Sequence, residues 1–536
     1  MEQGRVWLAI FLSLGLFFVY DYFVIRPYRE VAKNQVGTSS TLPPPATSDA
    51  PPPLEAPNPM ASADVVRSGA PIIVETDLFR ATIDSLGGRL RSFELKRYRA
   101  HVGADSPDLS LFAAEGLPVL PLTLEIAGQG TDAGTQYVAD KTSLVLNGDS
   151  TGTITLNGVL PGGSQIEKTF TFKGSSYDFS LDADVSGSPI PMVIGVVMTP
   201  IVEDVRHLVK GDRTAGRAEK ALAFADGKLT EHPLTEIQRE TTQLTGALWA
   251  GYASQYFVSL VVSDQPSKRV VMGPMGGVGI VRVDEETENG IARYRVLIGP
   301  KDPQVLSAAG DHLDRALDFG WFWFIAIPLL HLLRVFDRVF GNYGVSIIVL
   351  TVLVKAVTIP LTRAQYRSMQ KMQQIQPHLE RLRERYKDDS TGMQREMMEL
   401  YRKHGVNPFS GCVPMFLQIP IFVGLYNALL NAIELRHAPF VGWINDLSAP
   451  DRLMVGGVGI PVLVILMGAS MLAQQWMTPA QGDPMQRRMM MFMPVIFTAM
   501  FLNFPSGLVL YWLVNNVISI GQQYAVMRGV KQGARG

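Results

Sequence analysis

The chain has 536 residues, of which 47% are hydrophobic and only 18% are charged. Soluble domains contain about 25% charged residues, so this deficit, concentrated in a few long apolar runs, predicts a polytopic membrane protein of several domains. The formal net charge of -1 excludes a globally basic nucleic-acid-binding protein, so no DNA partner is expected. The single cysteine, Cys412, excludes intramolecular disulfides, a cysteine-based zinc cluster and a CxxC redox site.

The N-terminal 64 residues predict a membrane anchor and a tether. Val6–Ile25 is long enough to cross a bilayer and lacks a small-residue cleavage site, so residues 1–25 predict an uncleaved anchor. Residues 26–64 predict a proline-rich linker, because eight prolines fall between positions 37 and 64. Basic residues are more frequent after this first span than before it, which by itself favours an N-terminus outside the cytoplasm. The charges beside the later spans favour a cytoplasmic N-terminus, and we give them more weight.

Residues 65–312 predict an all-β sandwich domain outside the membrane. Alternating segments such as Gln165–Phe172 and Tyr177–Asp184 are separated by turn signals such as Asn147-Gly148-Asp149. No metal-ligand spacing, phosphate loop or nucleophile elbow is visible there, so we predict no cofactor and no metal. Two roles remain open: a module that binds carbohydrate or peptide, and a structural spacer or platform for partner proteins.

The C-terminal part predicts an interfacial helix and five further spans. Residues 313–341 contain a short aromatic run and predict an amphipathic helix in the membrane interface, with a short span as the alternative. Residues 342–362 predict the second span. Residues 409–536 predict the third to sixth spans and a short cytoplasmic tail; these spans are Gly411–Ile433, Met454–Met477 and two within Met489–Tyr524. Basic and non-basic loops alternate, which predicts that both termini lie in the cytoplasm and that the large domain lies on the opposite side of the membrane.

Residues 363–408 predict a helical hairpin on the cytoplasmic side. Apolar residues recur at helical spacing from Met369 to Leu382, Asp388-Asp389-Ser390 interrupts the pattern, and a second helix runs to His404. The methionines of this hairpin either form an adaptable surface for apolar segments or are ordinary core residues.

Lys355 is the one charged residue within the predicted second to sixth spans. A charge in the middle of a bilayer costs about 2.5–3.5 kcal/mol, and these spans contain no Asp or Glu to pair with it. Lys355 is therefore either hydrated or deprotonated. Thr351, Thr358 and Thr362 share its helix face at a spacing of three or four residues, which favours hydration.

The other predicted spans add amide and hydroxyl side chains. These residues are Gln418, Asn427, Ser470, Gln474, Asn503, Asn515, Asn516 and Ser519. They either line a polar cavity with Lys355 in the inner-leaflet half of the membrane or form interhelical hydrogen bonds that serve packing alone. A wet cavity with one positive charge can receive a polar segment of another chain and ease its passage through lipid, without covalent catalysis. We therefore predict that the protein is not an enzyme.

Several motifs resemble the YidC family of bacterial membrane protein insertases over essentially the whole chain. The matching stretches are Pro360–Tyr366, Val406-Asn407-Pro408 with Gly411-Cys412, Gln418–Phe422, Trp443–Ser448, Asp483–Gln486, Phe492-Met493-Pro494 and Phe504–Leu508. The long region between the first two spans resembles the Gram-negative form of the family.

The resemblance implies a five-helix insertase core whose groove opens to the cytoplasm and the lipid. The family usually has an arginine in this groove, and the present sequence has Lys355, which keeps the charge but loses the bidentate fork. The predicted substrate groove comprises Lys355, Thr351, Thr358, Gln418, Phe422, Asn427, Trp512 and Asn515. The resemblance also implies a β-supersandwich-like periplasmic domain.

The implied activity is insertion and chaperoning of membrane proteins at the bacterial inner membrane, without ATP hydrolysis. The implied partners are nascent membrane proteins, the Sec translocon, the ribosome and the lipid bilayer. A ribosome contact through the tail is weakened, because the basic tail here is short. Two alternatives remain from the residues themselves: a secondary transporter, and an anchored envelope enzyme that acts on polysaccharide.

Overall fold

A computed structural model describes residues 69–533, except for residues 104, 113–118, 188–190, 202–218, 265, 268, 387–388, 405–412 and 478–483. The predicted anchor Val6–Ile25 and the linker 26–64 lie outside the described residues. Contacts divide the chain into two units, of which one contains Gln374–Pro408 and the other contains Val65–Gln373 and Phe409–Gly536.

Three sheets build the β-domain, which we define as the described residues between 69 and 316. Its five-stranded sheet has the spatial order β4 (Asp108–Ser110), β3 (Arg89–Arg99), β2 (Phe79–Asp84), β1 (Pro71–Glu75) and β8 (Ser143–Val145). Its six-stranded sheet has the order β15 (Thr242–Leu244), β18 (Arg269–Met275), β19 (Val278–Thr287), β12 (Met192–Met198), β5 (Thr123–Ile126) and β6 (Gly130–Thr131).

The third sheet is the largest. Its nine strands have the order β14 (Lys228–Pro233), β13 (Lys220–Ala225), β16 (Ala247–Ala253), β17 (Phe257–Ser263), β20 (Ile291–Pro300), β11 (Asp178–Ser186), β10 (Gln165–Lys173), β9 (Thr151–Val159) and β7 (Val138–Ala139). The pairing is antiparallel throughout this sheet. Short turns connect neighbours such as β9 to β10 and β10 to β11, whereas β17 and β20 are neighbours although two strands of the six-stranded sheet lie between them in the sequence.

Alternation along the strands explains how the β-domain fills its interior. In β10 the side chains of Ile166, Lys168, Phe170 and Phe172 are buried, whereas the residues between them are more exposed. Successive side chains of a strand point to opposite faces, so one face of β10 is directed at the core.

The three sheets share one hydrophobic core. Tyr252 on β16 donates a 2.7 Å hydrogen bond to the carbonyl of Gly279 on β19, which joins the nine-stranded sheet to the six-stranded sheet. Phe172 on β10 lies 6.3 Å, between ring centroids, from Phe79 on β2, which joins the nine-stranded sheet to the five-stranded sheet. The predicted sandwich is therefore a three-sheet domain around one interior.

Helices dominate the rest of the described chain. They are α1 (Leu234–Ile237) and α2 (Pro303–Ala309) in the β-domain, followed by α3 (Trp323–Phe340), α4 (Tyr343–Arg385), α5 (Ser390–Lys403), α6 (Val413–Leu430), α7 (Val462–Met477), α8 (Pro484–Met500) and α9 (Ser506–Gly533). A short hairpin of β21 (Leu453–Val455) and β22 (Val458–Ile460) precedes α7.

The helix α4 continues from the predicted second span into the first arm of the predicted hairpin. It has 43 residues and Pro377 lies inside it. The second arm, α5, begins at Ser390, where the side chain of Asp389 accepts a 2.9 Å hydrogen bond from the amide of Gly392. This cap satisfies one of the free N–H groups at the helix start.

The prediction that the fourth span begins at Met454 is wrong. Residues Leu453–Val455 pair with Val458–Ile460, and α7 begins only at Val462. The hairpin turns at Gly456 and Gly457, whose φ angles are 58° and 84°. Two consecutive residues with positive φ are incompatible with a right-handed helix and are typical of a type I′ turn. An average of hydrophobicity does not register such a turn.

The helical bundle, which we define as α3, α6–α9 and residues 343–362 of α4, has its own apolar core. Within the described residues, one helical stretch, Tyr343–Pro360, has both the length and the mean hydropathy (1.9) expected of a membrane span. Shorter apolar helical stretches are Ile419–Leu430, Val462–Met477 and Met491–Asn503. The number of six spans stays a prediction.

Candidate functional site

The ammonium group of Lys355 lies between α4 and α9. Its Nζ atom donates a 2.8 Å hydrogen bond to Oγ of Ser519 on α9. The side chain is buried, with 8% of its surface exposed. Within the part of the chain that the structure describes, no carboxylate forms an ion pair with Lys355.

The threonines beside Lys355 bond to their own helix. The hydroxyl of Thr351 donates to the carbonyl of Ile347 at 2.6 Å, and the hydroxyl of Thr358 donates to the carbonyl of Val354 at 3.0 Å. The hydroxyl of Thr362 repeats the pattern at 2.9 Å. Because these hydroxyl protons are used within α4, the threonine oxygens can offer only their lone pairs to another molecule.

A polar face of α9 meets α4 and α7. Ser519, which binds Lys355, donates its own hydroxyl proton to the carbonyl of Asn515 at 2.7 Å. Asn516 donates a 3.0 Å hydrogen bond to Ser470 on α7, and Gln523 donates to the carbonyl of Met477 at 2.9 Å. Asn515, Ser519 and Gln523 recur every fourth residue, so the same spacing argument that selected Thr351 and Lys355 would also have selected Gln523, which the sequence analysis missed.

Aromatic rings join α6 to α9 on another part of the predicted groove. Phe422 and Trp512 pack edge to face with ring centroids 4.5 Å apart. Trp512 also contacts Phe501, which follows α8, at 4.9 Å in the same geometry. Edge-to-face contact sets the positive ring edge against the negative ring face, which adds directionality to the burial of these large side chains.

The structure does not place all eight predicted groove residues at one point. Asn427 donates a 2.8 Å hydrogen bond to the carbonyl of Phe319, and so fastens α6 to the segment that leads into α3. Gln418 lies on α6, and its side chain falls outside the described part of the structure. Lys355 bonds to Ser519, whereas Phe422 and Trp512 pack on each other, so these predicted groove residues make different contacts.

One end of the bundle is tied together by hydrogen bonds between residues 446–452 and 502–507. The amides of Ser506 and Gly507 donate to the carbonyls of Ala449 and Leu447 at 2.8 and 2.9 Å. Arg452 donates to the carbonyl of Leu502 at 2.8 Å. These contacts hold the start of α9 and the segment that follows α8 to the loop between α6 and α7.

The side chains around Lys355 place hydrogen-bonding groups at the contact between α4 and α9. Within the described residues, no group of three or more His, Cys, Asp or Glu side chains could hold a metal ion. Lys355 bonds to Ser519, and Thr351 and Thr358 lie on the same face of α4 with their hydroxyl groups bonded to carbonyls of that helix. Such a site can bind acidic or polar groups of another molecule by charge and hydrogen bonding.

Comparisons with known proteins cover nearly the whole chain. The family model described as "60Kd inner membrane protein" matches residues 335–533, and the model described as "YidC periplasmic domain" matches residues 71–332. A membrane protein insertase YidC from Pelobacter propionicus is 37% identical over 537 residues, which cover 97% of this chain and 98% of the relative. The protein of the same name from Geobacter sulfurreducens is 38% identical over 471 residues, which cover 85% and 86%.

A crystal structure of an active YidC insertase with its first transmembrane domain resolved matches 85% of this chain and 92% of that chain, with 21% identity and a TM-score of 0.37. That score is too low to support an argument, so the assignment depends on the sequence relatives and the family models. The resemblance inferred from the motifs is confirmed. The chain belongs to the YidC family of membrane protein insertases, and it contains both the inner-membrane part and the periplasmic domain that the family models describe.

Proposed function

We propose that the polar site around Lys355 receives acidic or polar segments of nascent membrane proteins and lowers the free energy needed to move them into the bilayer. The observation that carries this proposal is the contact of Lys355 with Ser519, a neutral partner, in a bundle whose predicted spans contain no acidic residue. A charge held this way gains interaction energy when a carboxylate arrives.

The physical benefit to the substrate is a reduced desolvation cost. An acidic side chain at the middle of a bilayer costs about 2.5–3.5 kcal/mol on insertion scales. An ammonium group at hydrogen-bond distance stabilises that carboxylate, and the threonine oxygens of α4 accept hydrogen bonds from its backbone amides. This action needs no covalent intermediate and no ATP.

The proposal extends to topology and partners. Both termini lie in the cytoplasm and the chain crosses the inner membrane six times, because the loops alternate in basic charge. The protein acts alone or with the Sec translocon, and the ribosome contacts it only weakly through its short basic tail. The cytoplasmic hairpin of α4 and α5 meets the incoming chain first.

Reconstitution into liposomes tests the proposal. The substrate is a small single-span protein with one acidic residue in a short translocated tail, compared with the same protein carrying a neutral residue there. We expect wild type and Lys355→Arg to insert both, and Lys355→Ala to lose insertion of the acidic form at least several-fold more than that of the neutral form.

Val357→Ala is the matched control, because Val357 is two residues away on α4 and 73% exposed. It should insert both substrates as wild type does. Equal insertion of the acidic and neutral substrates by Lys355→Ala and wild type would contradict the role of the charge. Insertion no better than in empty liposomes for the wild type would contradict the function as a whole.

A further inference from the structure

The hairpin of β21 and β22 presents an apolar face that the bundle leaves open. Val455 and Val458 are directly opposite each other across the turn and are 53% and 66% exposed. Leu453 and Ile460, the next pair on the same face, are half-buried. Residues two apart in a strand share a face, so these four apolar side chains form one surface whose exposure rises toward the tip.

The base of the hairpin is fixed to the bundle. Asp451 accepts hydrogen bonds from the amide of Leu463 on α7 at 2.5 Å and from the indole of Trp443 at 2.6 Å. Arg452 bonds to the carbonyl of Leu502. The tip therefore projects from a fixed position immediately before the first residue of α7.

The composition of the hairpin and of α7 indicates which environment covers the apolar face of the hairpin. Residues 453–477 contain no charged side chain. Ile465 and Leu466, one turn into α7, are also apolar and exposed, at 51% and 48%, so the helix that follows the hairpin presents apolar side chains as well. A protein partner would be recognised by polar or charged groups at the rim of its contact, whereas a bilayer needs only apolar side chains.

We infer that the hairpin is a lipid-interface anchor, with Val455 and Val458 inserted into the acyl region of the leaflet that surrounds the start of α7. The depth is limited by the backbone, because each strand of a two-stranded hairpin has one edge of unpaired N–H and C=O groups. Those groups need water or headgroups, so the backbone stays at headgroup level while the side chains reach the acyl chains. Met454, on the opposite face and 66% exposed, stays nearer the water.

Site-directed spin labelling of the full-length protein tests this inference. The single cysteine, Cys412, is first replaced by serine, and one cysteine at a time is then introduced at Met454, Val455 and Val458. Each nitroxide-labelled protein is reconstituted into vesicles of phosphatidylethanolamine and phosphatidylglycerol. Collision with oxygen, which concentrates in lipid, is compared with collision with a water-soluble nickel chelate.

Ile465 on α7 serves as the lipid control, and Val138, which is 72% exposed in the β-domain, serves as the water control. We expect the oxygen-to-nickel ratio at positions 455 and 458 to match that of position 465 and to exceed that of positions 454 and 138 several-fold. Ratios at 455 and 458 equal to that of position 138 would overturn the inference. So would low accessibility to both reagents, which would show that a second copy or another protein covers the face. Depth is measured without substrate, so the result is independent of whether Lys355 acts in insertion.

Discussion

Lys168 and Asp132 form an ion pair of 2.6 Å in the core of the β-domain, and both side chains are completely buried. The ammonium of Lys168 also donates hydrogen bonds to the carbonyls of Gly87, Gly88 and Leu122 at 2.9, 3.2 and 3.0 Å. The pair thus connects β10 of the nine-stranded sheet with the turn between β2 and β3 and with the chain entering β5.

Breaking this pair should destabilise the β-domain strongly. Lys168→Ala leaves the carboxylate of Asp132 buried without its counter-charge, which costs about 3–5 kcal/mol in comparable cases. Hydrogen exchange of the full-length protein measures the effect on the amides of β10. Lys173→Ala is the matched control on the same strand, because Lys173 pairs with Asp149 at the surface, where the two side chains are 48% and 85% exposed. It should change the free energy of opening by less than about 1 kcal/mol. Equal effects of the two variants would contradict the assigned importance of the buried pair.

The stability of the β-domain should depend on pH through Glu285 on β19. Burial, with the charge of Asp264 in addition, raises the pKa of Glu285 to about 7. Its pKa in the unfolded chain is about 4.3, so the unfolded state releases this proton first as the pH rises. The contribution of Glu285 to the free energy of unfolding is therefore fully present below about pH 4 and is lost as the pH rises to about 7.

Glu285→Gln removes this dependence. Above pH 7 the variant should be more stable than the wild type by an amount on the order of 2 kcal/mol, and near pH 4 the two should be alike. Thermal unfolding of the full-length protein in detergent at the two pH values gives the comparison. Glu288→Gln, at an exposed position in the same region, should give no such pH-dependent difference. A Glu285→Gln variant equally stable relative to wild type at both values would refute the burial effect.

Arg334 on α3 should hold the helical bundle to the β-domain. Its Nη2 atom lies 2.7 Å from a carboxylate oxygen of Asp302 and 2.5 Å from one of Glu434. Arg334→Ala leaves two partly buried carboxylates beside each other, and we expect a loss of roughly 1–3 kcal/mol, between the values for surface and buried pairs. Hydrogen exchange at residues 302–309 measures this loss.

Two further variants define the Arg334 effect. Adding Glu434→Gln to Arg334→Ala should restore part of the protection, because it removes one of the repelling charges. Arg338→Ala, one helical turn further along α3 and exposed, should leave exchange at these residues unchanged. If Arg334→Ala behaved like Arg338→Ala, the ion pairs of Arg334 would contribute nothing to the contact between the helical bundle and the β-domain.

Ser519 should act through Lys355. Ser519→Ala removes the acceptor of the 2.8 Å hydrogen bond but keeps the charge, so it should reduce insertion of the acidic substrate less than Lys355→Ala does. The double variant should be no worse than Lys355→Ala alone, because residues in one contact are not additive. The liposome insertion assay gives all four values, with Val517→Ala, at a 55% exposed position of α9, as the control. Additive losses would show that Ser519 acts independently of the charge.

The sequence allowed the prediction of features that depend on local periodicity. Alternation predicted the buried face of β10, and three- and four-residue spacing placed Thr351, Lys355 and Thr358 on one side of α4. The bond between Lys355 and Ser519 was not predictable, since the two residues are 164 positions apart and helix spacing does not say which faces of two helices meet.

Two other features of the structure could not be predicted from hydrophobicity and side-chain type alone. The hairpin of β21 and β22 and the helix that follows it are both apolar, so hydropathy does not separate them, whereas the pair Gly456-Gly457, with positive φ at both residues, marks the turn. Asn427 stays a predicted groove residue, and its amide donates a hydrogen bond to the carbonyl of Phe319, which the sequence pattern does not indicate. The pattern of side chains in a sequence does not show which backbone carbonyl an amide side chain will meet in the fold.

The bonds that tie residues 446–452 to 502–507 fix a pivot for the helices that start or end there. Ser519 lies 13 residues beyond Ser506 on α9, about 20 Å along the helix axis. A small angular change at a fixed hinge produces a displacement that grows with distance from it. If α9 swings away from its neighbours about this end, its displacement is least near Ser506 and greater beside Lys355, so the wider gap forms at the polar site.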